Sequence, residues 1–176
     1  MREKKDIRLF FALWPDDRLR ARLDEAARKL SLSGAARRVP ASNLHVTLHF
    51  IGNVYFEEMA CLQEQARRVR SDHFRFEIDC PGSFRKPRVA WLGCREAPAE
   101  LFELQLRLGR ELQGCGFQPE KRPYHPHVTV ARKIESPPGG GRFEPIRWDV
   151  NGFSLIEVQQ RESGVQYHVV ETYPLS

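Results

Sequence analysis

The chain contains the same short pattern twice, as His45-Val46-Thr47-Leu48 and as His127-Val128-Thr129-Val130. The whole sequence holds only six histidines and three threonines, so two pairs with identical spacing exceed what random placement would give. Apolar residues surround both copies and favour a β-strand, in which residues two apart point to the same face. Each histidine is therefore expected to lie beside its threonine, with the intervening apolar residues pointing into a core.

A His–Thr pair combines a group that exchanges protons near neutral pH with a hydroxyl that binds oxyanions. Two such pairs facing each other would hold a small anion between an acid and a base. Hydrolysis of a ribose 2′,3′-cyclic phosphate is a reaction that this arrangement would serve, because the attacking water must lose a proton and the leaving oxygen must gain one. The threonine hydroxyls would bind the non-bridging oxygens. Arg132, three residues after Thr129, is the candidate for a guanidinium matched to phosphate.

Hydrophobic spacing and turn residues predict the elements around the motifs. Strands are predicted at Ile7–Leu13, Asn43–Ile51, Phe74–Cys80, Arg88–Leu92, His125–Ala131, and near Ile146–Val150, Phe153–Val158 and Tyr167–Tyr173. Helices are predicted to open at Pro15 and Asp16, to follow the first motif with Met59, Leu62, Ala66 and Val69 on one stripe, and to open again at Pro98. Ser136–Gly141 is expected to be a flexible loop.

The predicted elements repeat in order. A strand, a helix and a His–Thr strand occur between Ile7 and Ile51 and again between Arg88 and Arg132, and the motif histidines are 82 residues apart. This order predicts an α+β protein of two similar lobes related by an approximate two-fold axis, with a ligand cleft where the lobes meet. We therefore expect one bilobal domain over residues 1–176, with approximate repeats 7–87 and 88–176.

The chain is basic, with a net charge of +5 and a pI near 9.2. The cationic residues are grouped, which suits a polyanionic partner such as RNA; for any single group, a solvated surface is the alternative interpretation. The groups are Arg37-Arg38, Arg67-Arg68-Arg70, Arg85-Lys86-Arg88, Lys121-Arg122 and Arg132-Lys133. The three arginines between positions 67 and 70 lie on a predicted helix surface and are expected to be solvated.

Several sequence features indicate in which cellular compartment the protein is expected. The longest apolar run, Leu9–Trp14, is too short to cross a bilayer, and the basic start Met1–Asp6 is not followed by a signal-peptide cleavage site. The four scattered cysteines, Cys61, Cys80, Cys94 and Cys115, are expected to be free thiols in a reducing compartment rather than a zinc site. We expect a cytoplasmic protein that is a monomer and has no membrane partner.

Other residues near the motifs have competing interpretations. His125-Pro126-His127 resembles a metal-binding HxH pair, but no aspartate lies near either motif, so neither a metal nor another cofactor is expected. His49 is predicted on the face of His45 and Thr47 and is interpreted as a bystander. Tyr124 and Phe50 are candidates for stacking on a base or contacting the cleft, and packing in the core or rim is the alternative.

The chain resembles the 2H phosphoesterases, and within them the RNA 2′,3′-cyclic phosphodiesterase family, which is also called the 2′–5′ RNA ligases. The segments that carry the resemblance are Arg8–Pro15, Asn43–Gly52, Pro87–Gly93, Arg122–Arg132 and Tyr167–Leu175, and together they run from end to end of the chain. The resemblance implies two pseudo-symmetric lobes of antiparallel sheet with helices outside and the active-site cleft between them.

The resemblance also implies a role for each motif residue. His45 would be the proton donor and His127 the proton acceptor, with Thr47 and Thr129 binding phosphate. The reaction would be metal-independent hydrolysis of RNA ends bearing 2′,3′-cyclic phosphate, with the 3′-oxygen leaving and a 2′-phosphomonoester as product. Two alternatives stay open: 2′–5′ RNA ligation at the same site, and an RNA-binding module without activity.

Overall fold

The computed structural model describes residues 6–176, so the basic start Met1–Asp6 lies almost entirely outside the described residues. Within them the helices are α1 (Asp17–Arg28), α2 (Phe56–Arg68) and α3 (Ala99–Leu112). The first strands are β1 (Ile7–Leu13), β2 (Leu30–Ser31), β3 (Arg37–Arg38), β4 (Val46–Val54), β5 (Phe74–Ile78) and β6 (Cys80–Phe84). They are followed by β7 (Val89–Gly93), β8 (His127–Arg132), β9 (Gly139–Gly140), β10 (Ile146–Val150), β11 (Gly152–Arg161) and β12 (Gly164–Pro174). The predicted strand β1 and all three predicted helices are confirmed.

The strands form a large antiparallel sheet in the order β12-β11-β1-β4-β8-β7-β6, with β3 also paired to β8. The strands β4 and β8 meet at a single pair, Val46 with Val128, which are equivalent positions of the two motifs. Two smaller pairs lie apart from this sheet, β10 with β5 and β2 with β9. The predicted α+β class with antiparallel sheet is confirmed.

Strand β1 is apolar on both sides, and its side chains join a different cluster on each face of the large sheet. Leu9, Phe11 and Leu13 enter the main core together with the apolar residues of the helices. Phe10 and Ala12 point to the opposite face, where they form a small separate cluster. The helices therefore cover one face of the sheet and leave the other for the cleft.

Local sequence explains where the helices begin and which side they bury. The Asp16 side chain accepts a 2.7 Å hydrogen bond from the Leu19 backbone N–H and so caps α1. Apolar residues at helical spacing then face the core. They are Leu23, Ala26 and Ala27 in α1, Leu62 and Ala66 in α2, and Leu101, Leu104, Leu108 and Leu112 in α3.

Each motif strand contains an irregularity that the alternating pattern does not reveal. The register of β4 against β1 shifts at Leu48 and again at Ile51, and that of β8 against β7 shifts at Val130. One extra residue in a ladder moves every later side chain to the other face. As a result, Phe50 shares the face of Thr47 and Arg132 shares the face of Thr129.

Three sequence expectations need correction. Cys61 of α2 and Cys115 after α3 form a disulfide, so only Cys80 and Cys94 are free thiols. The two cysteines are 54 residues apart in sequence, and only the packing of α2 beside α3 brings them together. The predicted strand Phe74–Cys80 is two strands, β5 and the start of β6, in different sheets. Within the predicted loop Ser136–Gly141, two glycines pair with β2.

Candidate active site

The two motif histidines lie on the open face of the sheet at the junction of β4 and β8. His45 immediately precedes β4, and His127 is the first residue of β8. Both histidines and both motif threonines line one cavity of about 510 Å³. The structure therefore brings together the four residues that the two motifs single out.

The His45 ring is oriented by its own strand and covered by aromatic neighbours. Its Nδ1 lies 2.8 Å from the Asn43 carbonyl oxygen, which can only accept, so Nδ1 carries the proton and donates. Its Nε2 is then free to accept from the Thr47 hydroxyl at 2.9 Å. Phe10 stacks on the ring at 4.7 Å between centroids, and Tyr167 meets it edge-on at 5.5 Å.

His127 is held in the same way from the other strand. Its Nδ1 donates to the His125 carbonyl oxygen at 2.7 Å, which leaves Nε2 without a proton in the neutral ring. Phe84 packs edge-on against this ring at 4.9 Å. Both neutral imidazoles therefore use Nδ1 to bind backbone two residues upstream and keep Nε2 as the reactive nitrogen.

Burial makes both imidazoles harder to protonate. The pKa of His45 is lowered to about 4, mainly by burial, with further lowering by the nearby His127 and Arg132. The pKa of His127 is also lowered, mainly by burial and then by His125 and Arg132. In the absence of a ligand both rings are neutral at pH 7. An anion placed between them would offset these effects and raise both pKa values.

Arg132 lies on the cleft face and forms part of a cationic surface. The register shift at Val130 turns it toward the side of His127 and Thr129, and it lines the same cavity. Arg8 and Arg37 line that cavity as well, and its wall contains no carboxylate among residues 6–176. The site is therefore built to attract an anion.

Other basic groups are paired with neighbouring acids. Arg67 binds Glu171 and Arg68 binds Glu64, which agrees with their interpretation as surface residues. Arg122 likewise binds Glu120. These three arginines therefore add little net positive charge to the surface.

The two aromatic candidates differ in what they present. The hydroxyl of Tyr124 donates a 2.8 Å hydrogen bond to the Thr47 backbone oxygen, and burial raises its pKa far above the usual value. This contact holds β4 in place behind Thr47. Phe50 has 48% of its surface exposed at the cleft, with the Arg8 guanidinium 5.1 Å from its ring centroid. Phe50 is the aromatic face that a base could contact.

His49 does not share the face of Thr47, so that expectation is wrong. The irregularity at Leu48 turns His49 into the protein, where its Nε2 bonds the Gln105 carbonyl oxygen of α3 at 2.6 Å.

His125 packs on Trp91 with ring centroids 4.9 Å apart. No cluster of three or more histidine, cysteine, aspartate or glutamate side chains suited to a metal ion occurs within residues 6–176. No helix in this part of the chain is long and apolar enough to cross a membrane.

The residues that shape the environment of His45 are not among those that the sequence singles out. Phe10 stacks on the ring, Tyr167 covers its edge, and Asn43 supplies the orienting carbonyl. The strand alternation of β1 already separates Phe10 from its core neighbours Leu9 and Phe11 and could have indicated it. Tyr167 and Asn43 carry no such signal, because their positions depend on the packing of distant strands.

Comparison with known proteins gives consistent matches over the whole chain. The family model of the 2′-5′ RNA ligase superfamily matches residues 15–162. An RNA 2′,3′-cyclic phosphodiesterase of Escherichia coli (strain K12) is 34% identical over 173 residues, covering 96% of this chain and 97% of the relative. One from Thermus thermophilus is 32% identical over 96% of this chain and 90% of its own length. The crystal structure of E. coli LigT complexed with 3′-AMP superposes with a TM-score of 0.86 at 30% identity, covering 98% of this chain and 99% of that chain.

Proposed function

Because the chain belongs to the 2′-5′ RNA ligase superfamily, we propose that it is an enzyme that hydrolyses RNA ends bearing a 2′,3′-cyclic phosphate. The observation that carries the proposal is the pair of neutral imidazoles, His45 and His127, which share one cavity and each keep Nε2 as the reactive nitrogen. The relatives named as RNA 2′,3′-cyclic phosphodiesterases support the substrate.

The mechanism uses the two imidazoles on opposite sides of the phosphorus. His127 accepts a proton from water at Nε2 as the water oxygen attacks phosphorus. His45, protonated at Nε2 when the substrate is bound, gives that proton to the 3′-oxygen as the P–O3′ bond breaks. The product is a 2′-phosphomonoester, and proton exchange with solvent restores the starting states. Each imidazole would contribute about 10²–10⁴-fold in rate.

The substrate itself would help to protonate the donor. The lowered pKa of His45 makes its protonated form a stronger acid than an ordinary imidazolium, but that form is scarce in the free protein at neutral pH. The negative charge of the cyclic phosphate favours imidazolium, so binding raises the fraction of protonated His45. Thr47, Thr129 and Arg132 would bind the non-bridging oxygens, and Arg132 would balance the charge that develops there.

Ligation is the second candidate, and one observation favours it. A cavity of about 420 Å³ opens beside His127, bordered by Phe84 and Lys86. It is far larger than the attacking water needs, and it could admit a nucleoside. A 5′-hydroxyl placed there would attack the same phosphorus with His127 as base and produce a 2′,5′ linkage. A module that only binds RNA would not need two imidazoles with unprotonated Nε2 atoms at one anion site.

We further propose that the reaction needs no metal ion or other cofactor, because the two imidazoles supply both proton transfers. The monomeric state and the cytoplasmic location expected from the sequence stay predictions, as does the division into repeats 7–87 and 88–176. The pairing of Val46 with Val128 supports that division, because a two-fold axis between equivalent strands would bring equivalent residues together.

Replacement of the histidines tests the mechanism. On an oligonucleotide ending in 2′,3′-cyclic phosphate, His45→Ala and His127→Ala should each lower kcat/KM by about 10²–10⁴, and the double variant should be little worse because the pair acts as a unit. His168→Ala, at an exposed position of β12, is the matched control and should retain activity. Full activity of His127→Ala would show that His127 is not the base.

A further inference from the structure

Two cavities diverge from the phosphate site, and they differ in which catalytic histidine they contain. Thr47, His127 and Thr129 border both cavities. His45 borders the cavity of about 510 Å³ and does not line the smaller one among the described residues. The larger cavity is therefore on the His45 side of the phosphorus.

The in-line geometry of the proposed reaction then fixes where the RNA chain must go. The leaving 3′-oxygen belongs to the terminal ribose, and the group that protonates it is His45. The terminal ribose and every nucleotide upstream of it are covalently joined to that oxygen. They must therefore leave the phosphate site through the larger cavity, while the nucleophile arrives from the His127 side.

More cationic side chains line the larger cavity than the binding of a single phosphate would require. Arg37 of β3 pairs directly with Arg132 of β8, and both side chains are exposed. Like charges directly opposite each other on neighbouring strands are destabilising. Arg8 borders the same cavity from β1. An anion bound between these side chains would offset their mutual repulsion.

Arg37 differs from its neighbour Arg38, whose side chain has a structural role. Arg38 donates to the carbonyl oxygens of Ala27 and Leu30 at 2.6 and 2.8 Å and so holds the end of α1. Among residues 6–176, no ion pair or side-chain hydrogen bond involves Arg37. Arg132 lies beside both catalytic histidines, close enough to lower their pKa values.

We propose that the larger cavity is a subsite for the phosphodiester backbone upstream of the reacting end, and that Arg37 binds the first upstream phosphate. This inference rests on the proposed function, because it uses the direction of the reaction. It makes oligonucleotides the preferred substrates over cyclic mononucleotides. Arg37 would then determine specificity for RNA chains without taking part in the chemical step.

The test compares two substrates with the whole chain. One is 2′,3′-cyclic AMP, and the other is a four-nucleotide RNA ending in the same cyclic nucleotide. We expect wild type to favour the RNA in kcat/KM, and Arg37→Gln to lose about tenfold on the RNA and far less on the mononucleotide. For the RNA, the slope of log kcat/KM against log salt concentration should also be less steep in Arg37→Gln than in wild type, by about 0.7. This corresponds to the loss of one phosphate contact on a single strand. Arg18→Gln removes the same charge from the exposed side of α1 and should change neither result.

A neutral methylphosphonate in place of the first upstream phosphodiester provides a second arm. Wild type should lose about tenfold on this substrate, and Arg37→Gln should lose nothing further, because the interaction is already absent. Equal losses of Arg37→Gln on both RNA and mononucleotide, or additive losses with the methylphosphonate, would overturn the subsite. Failure of the proposed function would look different, since wild type would then hydrolyse neither substrate.

Discussion

Replacing His45 by glutamine should make the protein less sensitive to acid, because the folded protein resists protonation of this ring. The pKa of His45 is lowered from 6.5 to about 4 on folding. Between these values the unfolded chain binds a proton that the folded protein does not bind, so the free energy of unfolding decreases as pH falls through this range. Each pH unit contributes up to about 1.4 kcal/mol, which makes about 3 kcal/mol over the whole interval. Glutamine cannot titrate and lacks this contribution.

The assay is urea unfolding of wild type and His45→Gln at pH values from 7.5 to 4. The buffers must lack phosphate, because a bound anion would raise the pKa of the ring. The difference between the two unfolding free energies removes the contribution of carboxylates common to both proteins. It should change by about 3 kcal/mol in favour of the variant as the pH falls from 6.5 to 4. His168→Gln controls for the loss of an exposed histidine, and parallel curves for wild type and His45→Gln would refute the reasoning.

Three other predictions concern the same structure. Since the pKa values of both catalytic imidazoles are lowered in the free protein, kcat/KM should be highest below pH 6.5. The optimum of kcat should lie at higher pH, because bound substrate raises both pKa values. Steady-state kinetics over pH 4.5–8.5 test this, and a kcat/KM maximum above pH 7 would contradict it. Thr47→Val and Thr129→Val should each lower kcat by about 10²–10³ in the oligonucleotide assay. An unchanged rate would show that the threonine hydroxyls do not bind the phosphate. Replacing both Cys61 and Cys115 by serine should lower the free energy of unfolding by about 4 kcal/mol, because the disulfide closes a 54-residue loop. The replacement should leave kcat/KM unchanged. Equal stability of the serine variant and the oxidised wild type in urea would contradict this prediction.

The sequence sufficed for those features that depend on local patterns. The strand around each motif follows from its apolar residues, and the start of α1 follows from the capping side chain of Asp16. The repeated order of strand, helix and motif strand correctly anticipates that β4 and β8 meet. The adjacency of the two histidines follows from that order, because each occupies the same place in its repeat.

The remaining features depend on pairing between distant segments. The extra residues at Leu48 and Val130 exist only relative to β1 and β7, so simple alternation places His49 on the wrong face. The same alternation would turn Arg132 away from Thr129, and the irregularity is what returns it to the cleft. Arg37 becomes part of the cleft only because β3 pairs with β8.

The most direct test of the central claim is the identity of the product formed without metal. Wild-type protein is incubated in excess EDTA with an oligonucleotide ending in 2′,3′-cyclic phosphate, and the position of the phosphate is determined by ³¹P NMR. The account predicts full turnover to a 2′-phosphomonoester, with turnover by the His45→Ala, His127→Ala double variant slower by at least about a hundredfold. A 3′-phosphate product, or turnover that stops with EDTA and returns with zinc or manganese, would contradict it.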